Sequence, residues 1–470
     1  MADFDMVVIG SGPAGEKAAA QAAYFGKRVA IVERAARPGG APVNTGGIPT
    51  KTLRETAQYL TGFRRREIYG VGIGLGADVT VELLHARSAE VSELMAEAVF
   101  HNLERHRIQL VRGVAMLEAE GLVRVIAADG SIRSISSEVV LIATGSRPFH
   151  APGIPFDDPD VHDSSTILDI ENIPARLVVI GGGPVGSEYA SIFTALGSKV
   201  TLIDAGERLM PFLDAEISAL VSTIFAREGM DVILGSAGTQ VERTGDTLRV
   251  LLPGGRILTP DKVLFAAGRT ANTDGMGLVE AGVELDQRGH ITVDEDYQTT
   301  ARGVYAAGDV IGPPALASVS AEQGRVAACH AFGILFKQTV DPSPPFGVYS
   351  IPEIGMMGMS EEAAARASID YEVGRSWFED NPRSRIAGVT DGLVKLVFRR
   401  DDRRLLGVHV VGEEAAELVH QGQAVIQAGE TIDRFIHSTY NIPTRSEAYK
   451  YAAYDGLQRL SGHPVESADH

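Results

Sequence analysis

One stretch of 28 residues occurs twice in this chain. Met6 to Glu33 reads MVVIGSGPAGEKAAAQAAYFGKRVAIVE. Leu177 to Asp204 reads LVVIGGGPVGSEYASIFTALGSKVTLID, and the two windows match at ten positions without a gap. Each reads as an apolar strand, a G-x-G-x-x-G turn, a helix, a second strand and a terminal acid. In the first copy the strands are expected at Met6–Ile9 and Arg28–Val32, with a helix from Glu16 to Phe25 between them. Gly10 permits the tight turn, Gly12 lets a pyrophosphate approach the backbone, and Gly15 lets the helix pack on the strand. Glu33 can bind a ribose hydroxyl pair. Gly181, Gly183, Gly186 and Asp204 repeat these residues. Two such units require an α/β chain with two nested dinucleotide-binding folds. Two sites are what a protein needs to hold a bound redox cofactor and exchange a diffusible one.

The chain has 470 residues, and a domain of roughly 100–200 residues suggests about three domains. A formal net charge of −18 disfavours nucleic acid or an anionic membrane surface as partner. Anionic nucleotides still bind to such a protein, because helix N-termini supply local positive ends. The single cysteine, Cys329, rules out an intramolecular disulfide and sits in the apolar run VAACHAFG, as an inert buried thiol would. No signal peptide and no membrane-spanning run is visible, and the expected location is cytoplasmic. No metal site is expected.

Between the two fingerprints the pattern predicts a helix over 81–106 and strands around 109–111, 122–126 and 131–135. Val139 to Ala143 is a buried strand leading into Thr144-Gly145-Ser146-Arg147-Pro148. A near copy, Val263 to Arg269, ends in Ala267-Gly268. Gly303-Val304-Tyr305-Ala306-Ala307-Gly308-Asp309-Val310 follows, and a helix is expected from Ala315 or Ala317 to Ala331. Asp341-Pro342-Ser343-Pro344-Pro345 reads as a linker. Beyond it come strands at 393–398 and 405–411 and helices at 415–428 and 447–460. The last helix carries Tyr449, Tyr451 and Tyr454, expected in core or interface packing.

Gly39-Gly40-Ala41-Pro42-Val43-Asn44-Thr45-Gly46-Gly47-Ile48-Pro49-Thr50-Lys51 leads into a predicted helix, Thr50 to Leu60. Its frame resembles the active-site segment of the flavin-dependent pyridine nucleotide–disulfide oxidoreductases. The Thr144-Gly145 and Gly308-Asp309 segments resemble the same family's flavin motifs. The resemblance implies four segments. Residues 1–148 and 272–341 would form an FAD-binding domain, 149–271 an NAD(P)-binding domain, and 342–470 a domain for homodimerisation or higher homo-oligomerisation. It places Gly40, Thr45, Lys51, Thr144, Gly145, Gly268, Gly308, Asp309 and Ala317 at cofactor. It makes Lys51 the lysine beside the flavin N5 and Glu188 the acid that pairs with it. The N-terminus of the helix after Asp309 carries about half a positive charge, suited to an anionic reduced ring.

The departures from the family matter as much. Where its disulfide-reducing members carry two cysteines, this chain has Pro42 and Gly47. Where they carry a histidine base near the C-terminus, it has Ile442, although Pro443, Thr444 and Glu447 remain; His437 lies five residues too early. Thiol chemistry needs a thiolate and a partner sulfur, and neither is available. Hydride chemistry survives, since flavin carries it and the protein positions and tunes the ring.

Several runs are similar to the transhydrogenase branch of the family, among them Asn44 to Leu53, Gly268 to Asp274 and Tyr440 to Thr444. The implied reaction is NADPH + NAD+ to NADP+ + NADH through FAD, one site serving NAD and NADP in turn. Asp204 favours NAD because an acid repels a 2′-phosphate, and Arg208 could offset that repulsion. A diaphorase reducing quinones needs the same residues. Dihydrolipoamide dehydrogenase and a non-catalytic dinucleotide-binding regulator are the remaining alternatives.

Overall fold

The computed structural model describes residues 2–62 and 81–462. It divides into two compact units. Unit 1 comprises Met1–Thr52, His85–Phe149 and Gly268–Pro342; unit 2 comprises Leu53–Leu84, His150–Ala267 and Ser343–His470. The chain changes unit inside the helix Ile48–Thr61 and again inside the helix Val81–Arg105.

Unit 1 is built on a parallel sheet in the order Gln109–Arg112, Val29–Glu33, Phe4–Ile9, Ile132–Ile142, Val304–Ala306. The central strand pairs Met6 with Val29 on one side and with Val139 on the other. Its residues Met6 to Ile9 are buried on both faces, which is why they read as a continuous apolar run rather than an alternating one. Two helices, Pro13–Tyr24 and Ala317–Ala331, pack together on this sheet. Their backbones nearly touch: a Cβ on Gly324 would lie 2.2 Å from the carbonyl oxygen of Ala14.

Unit 2 repeats the arrangement. Its parallel sheet runs Asp231–Ile233, Lys199–Ile203, Arg176–Ile180, Lys262–Phe265, Val161–Asp163. In both units the fingerprint's first strand lies between the fingerprint's second strand and a later strand that leads into Ala-Thr-Gly or Ala-Ala-Gly. That is the point where strand order reverses, and dinucleotides bind outside the C-terminal ends of strands at such a point. Unit 2 also holds an antiparallel sheet of five strands, Phe346–Val348, Glu353–Gly358, Leu405–Gly412, Leu393–Arg399 and Tyr371–Trp377. The helices Ala415–Gln427 and Ala448–Leu460 pack on it.

Several sequence expectations change in detail. The first helix begins at Pro13 rather than Glu16, because proline lacks an N–H that the first turn cannot bond and has its φ preset. The helix expected from Thr50 likewise starts early, at Ile48, with Pro49 in its first turn. The strand expected at 131–135 and the buried run from Val139 are one strand, Ile132–Ile142, serving an antiparallel ribbon with its first half and the parallel sheet with its second. The strand Val114–Ala119 and the short helix Gly40–Asn44 were not expected. Tyr449 is core, its hydroxyl donating to the Leu418 carbonyl at 2.7 Å, whereas Tyr451 and Tyr454 are exposed. Cys329 is buried. Among the described residues no helix is long and apolar enough to cross a membrane.

Candidate functional site

The two fingerprints share their turn geometry. Gly10 and Gly181 adopt φ of 104° and 116°. A Cβ on Gly10 would lie 2.4 Å from the Ala143 carbonyl oxygen, and one on Gly181 2.7 Å from the Ala266 carbonyl. A Cβ on Gly15 would lie 1.9 Å from the Gly10 oxygen, and one on Gly186 1.8 Å from the Gly181 oxygen. Only glycine permits these approaches.

The terminal acids close each loop in the same way. Glu33 accepts from the Ser11 N–H at 2.9 Å, the Ser11 hydroxyl at 2.6 Å and the Ala35 N–H at 2.7 Å. Asp204 accepts from the Gly182 N–H at 2.5 Å and the Gly206 N–H at 2.7 Å. A carboxylate has about four acceptor positions, so Asp204 keeps about two for ribose hydroxyls and Glu33 about one. The helices that follow, Pro13–Tyr24 and Pro184–Ala195, start at Gly12 and Gly183 with no side-chain cap. A Cβ on Gly183 would meet nothing within 4 Å. A bare backbone at an uncapped helix N-terminus suits a pyrophosphate.

Unit 1 gathers most of the residues expected at the cofactor. Gly40 lies against Gly12, where a Cβ on Gly40 would be 2.7 Å from the Gly12 Cα. Thr45 caps the short helix Gly40–Asn44, its hydroxyl bonding to the Ala41 carbonyl. Thr144 and Gly145 are clasped to Asn272: the Thr144 hydroxyl donates to its carbonyl at 2.8 Å, and the Asn272 N–H donates to the Gly145 carbonyl at 2.9 Å. Gly268 accepts from the Phe149 N–H at 3.0 Å. Asp309 accepts from the Ser146 hydroxyl at 2.7 Å, and Arg269 Nε stands 3.8 Å from it. The Gly308 N–H donates to Gln323, in the second turn of the helix Ala317–Ala331. That helix begins with neither a side-chain cap nor an acid in its first turn. Lys51 is half-buried on the helix Ile48–Thr61, whose Pro49 carbonyl accepts from the Ser88 hydroxyl at 3.2 Å.

Between the fingerprint and this helix, Gly47 folds back on Pro42. A Cβ on Gly47 would lie 2.7 Å from the Pro42 carbonyl oxygen and 2.8 Å from its Cα. The two positions that would carry a dithiol are therefore neighbours, yet there is no room for the second side chain.

Unit 2 places Glu188 on the helix Pro184–Ala195, buried, with the Tyr349 N–H donating to Oε1 at 2.9 Å. The Ile351 N–H donates to Ser191, and Arg54 holds the Ser350 carbonyl at 3.2 Å and Glu353 at 3.0 Å. Burial pushes the Glu353 carboxyl up against the pull of Arg54. Among the described residues, the partners of Arg208 lie elsewhere than at Asp204. Its Nη2 donates to the carbonyls of Pro211 at 2.7 Å and Leu213 at 3.2 Å, and its Nη1 to Glu362 at 3.4 Å. Ile442, at the position of the family's base, is 70% exposed, and His437 is exposed.

Sequence reasoning missed Ser11, Gly182, Ser146, Asn272, Gln323 and Glu362. The first two occupy the variable places of G-x-G, where the donor is a main-chain N–H. The others act across long chain separations that no local pattern reports.

Comparison with known proteins agrees with this geometry. The model for the pyridine nucleotide-disulphide oxidoreductases matches residues 4–324, and that for their dimerisation domain matches 344–453. The soluble pyridine nucleotide transhydrogenase of Mycobacterium bovis (strain BCG / Pasteur 1173P2) is 40% identical over 98% of each chain. That of Colwellia psychrerythraea is 38% identical over 97% of this chain and 99% of its own. Among solved structures, the HOCl-induced flavoprotein disulfide reductase RclA from Escherichia coli superposes with a TM-score of 0.87 at 28% identity, covering 96% of this chain and 99% of that one. LpdA from Mycobacterium tuberculosis does so at 0.86 and 28%, with the same coverage. The chain belongs to the pyridine nucleotide-disulphide oxidoreductase family.

Proposed function

We propose that this protein is a soluble transhydrogenase that moves a hydride between NADPH and NAD+ with bound FAD and no redox-active disulfide. The observation that carries the reading is the Gly47–Pro42 contact, a dithiol frame that has lost both its sulfurs and the space for one of them. The full-length similarity to enzymes named as soluble pyridine nucleotide transhydrogenases supports the same conclusion.

Flavin supplies the capacity to take a hydride from one nicotinamide and give it to another. The remaining work falls to this chain's residues. Gly10, Gly12, Gly15 and the uncapped helix at Pro13 hold the pyrophosphate of FAD, and Glu33 its adenosine ribose. Gly40, Thr45, Thr144, Gly145 and Gly268 line the same cofactor, and Asp309 binds its polyol chain. The ammonium of Lys51 and the uncapped helix N-terminus at Ala317 are the groups that would supply positive charge to the flavin ring. Gly181, Gly183, Gly186 and Asp204 seat the nicotinamide nucleotide. Glu188 is fixed by the Tyr349 N–H, which presets its carboxylate. Residues 342–470 mediate assembly into a homodimer or a larger homo-oligomer.

The visible spectrum tests this directly. The purified protein is expected to be yellow, to release FAD on denaturation, and to bleach when NADPH is added without oxygen. A colourless protein, or a yellow one indifferent to both NADPH and NADH, contradicts the proposal.

A further inference from the structure

We propose that Glu362 sets the nucleotide preference of the second site by competing with an adenosine 2′-phosphate for the guanidinium of Arg208. The inference rests on the reading of the second fingerprint as the nicotinamide-nucleotide site.

The strand Lys199–Ile203 delivers Asp204, whose carboxylate is tied to the Gly182 and Gly206 N–H groups and so faces the place a ribose would take. An acid there accepts ribose hydroxyls and repels a 2′-phosphate. Binding NADP then requires a nearby cation. The following loop, residues 205–213, adds another acid, Glu207, and contains only one cation, Arg208. That cation is engaged within the chain by Glu362 and by the Pro211 and Leu213 carbonyls.

Glu362 is not a loosely hanging partner. Its Oε1 also accepts from the Ala215 N–H at 2.8 Å. Its helix, Glu361–Arg366, is capped by Ser360, and the Glu361 N–H donates to Asp214 at 3.1 Å. The carboxylate is therefore held in place, while its bond to Arg208 is long and both side chains remain about a third exposed, at 36% and 32%. Such a pair stores little energy. An incoming phosphate can break it, and the cost of doing so discriminates against the phosphorylated nucleotide alone.

The test measures the dissociation constants of adenosine 2′,5′-bisphosphate and of AMP on the purified full chain, for wild type, E362Q, R208A and the double variant. E362Q keeps an oxygen for the Ala215 N–H. It is expected to bind the bisphosphate roughly two- to fivefold tighter, the range of a partly exposed ion pair, with AMP unchanged. R208A is expected to weaken the bisphosphate and to abolish the gain from E362Q. The proposal is overturned if E362Q leaves the ratio of the two constants unchanged. It is also overturned if the gain persists in the R208A background, since that would be removal of a negative charge and nothing more. These fragments require no hydride transfer, so a protein that shows the shift but does not transhydrogenate keeps this assignment and loses the functional one. Failure of both fragments to bind overturns the site and this inference together.

Discussion

At the scale of single residues, the contact between Gly47 and Pro42 decides the chemistry. Restoring sulfur at both places does not restore a disulfide, because a Cβ at position 47 lies too close to the Pro42 backbone. In a P42C/G47C variant we expect both introduced thiols to react with a thiol reagent after aerobic purification. The backbone shift is expected to lower stability by about 1–3 kcal/mol, the usual cost of overpacking. Quantitative oxidation of the pair at wild-type stability would show that the frame still accommodates a disulfide. The acids at the fingerprint ends show how much a single residue can announce. Glu33 and Asp204 were legible because they follow a glycine turn at a fixed distance, and the turn makes the carboxylate meet the loop N–H groups. Arg208 was legible only as a charge near Asp204. Two of its partners, the Pro211 and Leu213 carbonyls, are local, but Glu362 lies 154 positions away in the sequence.

At the scale of elements, the helices and strands of the two fingerprints could be read from the chain because glycine, proline and apolar runs agree on them. The short helix Gly40–Asn44 could not. It contains Pro42, and what makes it is the left-handed φ of 111° at Gly39 and the packing of Val43 against Ala96 and Val99. The strand Val114–Ala119 likewise exists because Leu122–Ile126 pairs with it, with a register shift between Leu117 and Ala119.

A tertiary feature equally hidden is the cage around Lys395 in unit 2. The lysine is buried, with Asp214 at 2.7 Å, Glu216 at 2.8 Å and Glu361 also in contact. The three acids converge closely enough to bridge a metal ion, but the ammonium stands among them. Burial opposes ionisation of Asp214 and Glu216, and their hydrogen bonds from Lys395 and Arg375 outweigh it, so both titrate below the ordinary range. Burial likewise opposes the charge on Lys395, and its bonds to the acids outweigh that, so it titrates above its ordinary range. The stability this cage gives is therefore full between about pH 5 and pH 10. It is lost as pH falls through the lowered carboxyl values or rises through the raised lysine value. K395M leaves buried acids without their ammonium and is expected to cost about 3–5 kcal/mol at neutral pH. Its denaturation midpoint should rise as pH is lowered from 7 toward 5, where the wild type is flat. A K395M midpoint equal to wild type at pH 7 would contradict this account.

At the scale of the whole molecule, duplication is the organising fact. The same 28-residue unit is used twice and lies in the same order of four parallel strands each time. A protein of net charge −18 offers two uncapped helix ends, and in the function proposed above these, rather than a basic surface, would meet the anionic dinucleotides. With Cys329 buried and no second cysteine in the chain, electrons that enter as hydride have no sulfur route out. The measurement that tests this most directly is the oxidative half-reaction, followed by stopped flow. Enzyme reduced anaerobically by NADPH and freed of nucleotide is mixed with NAD+, and in parallel with a quinone. The account predicts that NAD+ restores the oxidised flavin spectrum rapidly and yields one NADH per flavin. Slow or absent reoxidation by NAD+ beside rapid reoxidation by the quinone would contradict it.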